Sequence, residues 1–100
     1  MTNQPELDLA TLCGQLRRLQ RRPRDAALRL QVASQVAVLA EHVPADHDRL
    51  LHEIVGVAKL LRRALDRINK TAPHIEAGDL AAMKAWMERL EPLLARATTR

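Results

Sequence analysis

His52, Gly56, Lys59 and Arg63 follow one another at spacings of four, three and four. On a helix that spacing sets them along one ridge. An imidazole is a competent nucleophile near neutral pH. The cations further along the same ridge would stabilise transferring phosphate oxygens. A glycine within a helix costs about 1 kcal/mol relative to alanine, so Gly56 calls for a compensating reason. Close approach by a partner is one, and a tight helix-helix crossing is another. Val55 falls on the same side, so Val55, Gly56, Lys59 and Arg63 form the expected partner surface around His52.

Two further groups of residues bear on chemistry. RRLQRRPR, residues 17–24, gathers Arg17, Arg18, Arg21, Arg22 and Arg24 at a helix end. Such a cluster suits nucleic-acid phosphates, although no aromatic side chain is interleaved for base stacking. Its plainer role is to solvate and offset a helix dipole. Glu41, His42, Asp46, His47, Asp48, His52 and Glu53 make a histidine- and acid-rich stretch. It has no HxxxH or HxxxE pair, so a surface pair of Asp48 with His52 at i,i+4 is expected and no metal site. There is no glycine-rich phosphate loop. Cys13 lies on an apolar stripe and reads as a core residue.

The segment from His52 to Leu61, HEIVGVAKLL, resembles the phosphoacceptor segment of histidine phosphotransfer domains. Their pattern is roughly H-x-[LI]-K-G-x-[AS]-x-x-[LI], and His52, Ile54, Gly56, Ala58 and Leu61 match it. Val55 and Val57 stand where that family has a basic and a small polar residue. The stretch EAGDLAAMKAWMERLEPLL resembles the family's last helix. The resemblance implies a four-helix bundle in which His52 accepts phosphate from a response-regulator receiver domain.

Apolar periodicity supplies the elements that position these residues. Leu9, Leu12, Cys13, Leu16 and Leu19 mark an amphipathic helix over about 5–21, opened by Pro5. Pro23 opens a second, about 24–42, whose broad apolar face touches more than one neighbour or serves a homodimer. Leu51, Ile54, Ala58, Leu61, Leu65 and Ile68 step 3-4-3-4-3 and predict a third helix over about 45–69. Gly78 reads as a stop after a short helical turn at 73–78, and Asp79 as the N-cap of a fourth helix over about 79–97. Pro92 must kink that helix or begin a new turn. Short links imply antiparallel neighbours, hence an all-α, up-down-up-down bundle in one domain, 1–100.

Composition agrees. The chain has 100 residues, one Trp, no Phe and no Tyr, and 47% hydrophobic residues. Leucine and alanine account for a third of it, as suits a helical core better than a sheet. One cysteine excludes an internal disulfide, and no apolar run approaches the ~18 residues of a membrane span. MTNQPELDLA is unlike a targeting segment, and a cytoplasmic protein is expected. Arginine outnumbers lysine, as in a GC-rich bacterial gene. The net charge of +4 is uneven: residues 1–24 are basic, 25–48 acidic and 49–70 basic. The reading that results is a small helical adaptor without turnover or cofactor, acting by binding another protein. The phosphotransfer module and the arginine-cluster nucleic-acid binder stand as alternatives.

Overall fold

The computed structural model describes residues 8–99. Four helices follow in order: α1 (Leu9–Arg21), α2 (Ala26–Glu41), α3 (Arg49–Thr71) and α4 (Ala77–Thr98). Each packs against the next, and α4 closes back on α1, so the helices occupy the corners of an antiparallel four-helix bundle. α3 is the longest and packs on both α2 and α4.

Capping chemistry fixes where helices start, and it moves three of the expected boundaries. Asp8, Asp25 and Asp48 each accept a hydrogen bond from the backbone N–H three residues on, Thr11, Leu28 and Leu51. This satisfies a donor left free in the first turn. α1 therefore starts after Asp8; Pro5, its expected opener, lies outside the described residues. Pro23 sits in the turn before α2 rather than in the helix. Residues 45–48 precede α3, which then runs to Thr71, past the expected stop at 69. α4 starts two residues earlier than expected, behind Glu76, so Gly78 and Asp79 lie within its first turn. Residues 73–76 form a non-helical link. The α4 helix continues through Pro92 to Thr98.

The core is one cluster to which all four helices contribute. Leu16 and Leu19 meet Val32, Val36 and Leu39, then Ile54, Leu61, Leu65 and Ile68, then Met83, Met87, Leu90 and Leu94, all of them fully buried. On α1, α3 and α4 these are the seams that the 3-4 spacing picked out. On α2 the stripe of Ala26, Leu30, Ala33, Ala37 and Ala40 at the same spacing lies largely outside the core, with Leu30 59% exposed. Cys13 is buried too, and its thiol donates to the Glu91 carbonyl at 3.8 Å. Trp86 flanks the core, half-buried. Three arginines tie helices together at the surface. Arg17 meets Glu91 of α4 at 2.8 Å, Arg62 meets Glu41 of α2 at 3.4 Å, and Arg67 meets Asp79 of α4 at 3.6 Å. Exposed pairs of this kind add at most about 1 kcal/mol each, so the apolar seams hold the bundle. No helix among the described residues is long and apolar enough to cross a membrane.

Candidate functional site

The ridge of α3 is exposed at His52, Gly56, Lys59 and Arg63. Val55 is not part of it. At 5% exposure it lies in the core, and Val57 is buried as well. The reason is geometric: α3 is clasped by α2 and α4, so its buried arc is wider than the narrow seam of a two-helix contact. Val55, expected on the partner surface, is thus used up inside the bundle, and Val57 with it.

His52 is engaged. Its Nε2 lies 3.1 Å from the Ala45 carbonyl in the link before α3. A carbonyl only accepts, so Nε2 is the donor in this contact. Transfer chemistry at Nε2 would have to break this bond first. Asp48, one turn earlier, caps α3 through the Leu51 N–H. Gly56 does not mark a tight crossing: a Cβ built there would meet nothing within 4 Å. Beyond it, Lys59, Arg62, Arg63 and Asp66 line a shallow depression of about 420 Å³ with Ala40 of α2. The cations therefore gather on the side of α3 that faces α2.

The arginine cluster does not act as one clamp. Arg17 is drawn across to Glu91, and this hydrogen bond pushes its pKa up. Arg18, Arg21 and Arg22 surround a depression with Asp25, Ala27, Leu28 and Gln31. Arg24 lines a different depression, with Ala26, Arg29, Ala72, Pro73 and Ile75. The helical twist and the turn at 22–25 send neighbouring arginines to opposite flanks of α2.

Two surfaces stand out beyond the expected site. The first is the outer face of α2, which carries no charged side chain from Leu30 to Ala40. Leu30 is 59% exposed there, Ala37 and Val38 are half-buried beside it, and Val43 just past the helix is 87% exposed. The breadth of the apolar pattern in the sequence had signalled this face. The second is Arg29, which the pattern treats as an interruption of α2. It is the only buried charged residue among those described, at 2% exposure. Its spacing to Val32 and Val36 was the available signal, since 29, 32 and 36 share one face.

No family model, curated protein or solved structure matches this chain.

Among the described residues, no three histidine, cysteine, aspartate or glutamate side chains gather in a way that could hold a metal ion. The described surface offers a cationic ridge on α3, an uncharged face on α2 and cationic depressions at the α1–α2 end.

Proposed function

We propose that this chain works by protein-protein contact, through the outer face of α2, with a second copy of the chain as the occupant. The observation that carries the reading is the uncharged run from Leu30 to Ala40 with Leu30 standing exposed, in a chain of which 28% is charged. Scattered apolar surface is ordinary, but a contiguous uncharged helix face favours burial against another helix. The charges at its two ends favour self-pairing. Arg21 and Arg22 precede α2, while Glu41 and Asp46 follow its core-facing length. Two α2 helices packed antiparallel about a two-fold axis bring Leu30 of one copy to Ala37 of the other. The same arrangement sets the basic end of each copy beside the acidic end of its partner. One helix face buries less than the about 1,200–2,000 Å² of a standard interface, so the assembly is weak and reversible.

Sedimentation across a concentration series tests this. The wild-type chain is expected to pass from monomer to dimer, and Leu30→Lys and Ala37→Asp to remain monomeric with unchanged helicity. Leu30 is exposed and lies outside the core. Ala37 is half-buried, so unchanged helicity of its variant is checked in the same experiment, and Leu30→Lys decides where that variant fails to fold. A wild-type chain that stays monomeric throughout overturns the reading.

The joint exposure of His52, Gly56, Lys59 and Arg63 favours a second reading, in which the α3 ridge docks a receiver domain. In that chemistry a ring nitrogen of His52 attacks the phosphorus of a receiver aspartyl phosphate. The N–P bond forms, the acyl O–P bond breaks and the carboxylate leaves. Incubation with a phosphorylated receiver domain would then yield an acid-labile, base-stable phosphohistidine that His52→Gln lacks.

A further inference from the structure

Arg29 poses a problem of charge. Its guanidinium is buried in the bundle, where Nε donates to Asn69 Oδ1 at 3.3 Å and Nη1 to the Pro23 carbonyl at 3.2 Å. Both acceptors are neutral. No carboxylate among the described residues forms an ion pair with it. A buried charge without a counter-charge is unfavourable, and a guanidinium does not escape by shedding its proton. Asp25, the acid nearest in sequence, is committed to capping Leu28 and lines the depression on the other flank of α2.

Arg29 does line a depression of about 460 Å³ at this end of the bundle, between the α1–α2 turn and the α3–α4 link. Exposed Arg24 lines it as well, so two arginines border one recess. Ala26, the first residue of α2, brings the positive end of a helix dipole to the same place. The rest of the lining is apolar: Ala72, Pro73 and Ile75. The volume falls in the range of small-molecule sites, about 300–1,000 Å³, which pair an apolar lining with a few convergent polar groups.

We propose that this recess binds a small organic anion, with Arg24 and Arg29 holding a carboxylate or phosphate head and Ala26, Ala72, Pro73 and Ile75 receiving an apolar body. The anion supplies Arg29 with a counter-charge that no carboxylate among the described residues provides. The charged part of the site stands apart from the α2 pairing, because Arg24 lies in the turn before that helix and Arg29 is buried on its core side; of the lining residues, Ala26 alone shares the outward face with Leu30.

The test uses the full chain and two probes, phenyl phosphate and benzoate, with inorganic phosphate as a head-only control and sodium chloride at matched ionic strength. Calorimetry is paired with backbone-amide NMR. Saturable binding of phenyl phosphate or benzoate is expected, tighter than that of inorganic phosphate, with shifts at Ala26, Ala72 and Ile75. The stronger of the two identifies the preferred head. Arg24→Gln should weaken it about tenfold, the loss of one charge-assisted partner, and Arg29→Met should abolish it with helicity retained. Arg21→Gln and Arg22→Gln should leave affinity unchanged. If Arg29→Met does not fold, Arg24→Gln decides the matter, because that side chain is exposed. Shifts no greater than those from chloride overturn the proposal. So does an Arg24→Gln chain that binds as well as wild type, or a loss caused by Arg21→Gln instead.

Discussion

Gly56 sits in the middle of a 23-residue helix with open space where a Cβ would be. Alanine there removes backbone freedom from the unfolded chain and meets no clash, so Gly56→Ala should raise stability by about 0.4–1 kcal/mol in urea unfolding. If a partner lies against the bare backbone, the same variant loses binding while gaining stability, which separates the two roles. At Asp8 the side-chain hydrogen bond from the Thr11 hydroxyl, at 2.6 Å, and the bond from the Thr11 N–H hold the carboxyl below its ordinary value of 3.8. A depressed folded-state pKa favours folding above the unfolded value. That contribution is lost as pH falls through the folded one. NMR titration should show Asp8 titrating below an ordinary aspartate, and Thr11→Val should move it upward. At this scale the sequence showed which residues are charged or small, and Gly56 was visible as an anomaly. Whether its neighbour space was full or open depended on helices distant in the chain.

The helices themselves were legible because each apolar stripe repeats at the helical period, and the seams at Leu16, Leu61 and Met87 are buried as their spacing implies. Their ends were less so. Three N-termini are set by an aspartate whose side chain reaches back to a backbone N–H, and prolines nearby suggested other starting points. Asp25→Ala should therefore cost about 1 kcal/mol through loss of the cap on α2, measured by chemical denaturation. Gly78 and Asp79 formed a plausible stop and cap, but Ile75, packed on the core, anchors the link so that α4 can begin at Ala77. Pro92 looked like a break. It costs one helical hydrogen bond, from its own position to the Glu88 carbonyl, yet packing of Leu90, Leu93 and Leu94 on either side keeps α4 continuous.

In the whole molecule, each helix touches two neighbours, so a buried arc on α3 extends to Val55 and one on α2 extends to Arg29. Leu65→Ala, at a fully buried position, should cost about 2–5 kcal/mol by opening a cavity that rigid neighbours only partly fill. Amphipathic periodicity, low glycine content and the scarcity of aromatics determined from the sequence alone that the chain folds as helices and, for α1, α3 and α4, which stripe enters the core. Those features are local, and a stripe must be buried whatever its partner. Only the tertiary structure decided what the remaining surface offers. It closed Val55 inside the core, tied His52 Nε2 to Ala45, divided five adjacent arginines among separate surroundings and buried Arg29 without an ion pair to any carboxylate among the described residues. Those outcomes follow from the angles at which helices meet and from what their links carry alongside, and neither is written in the period of a single helix.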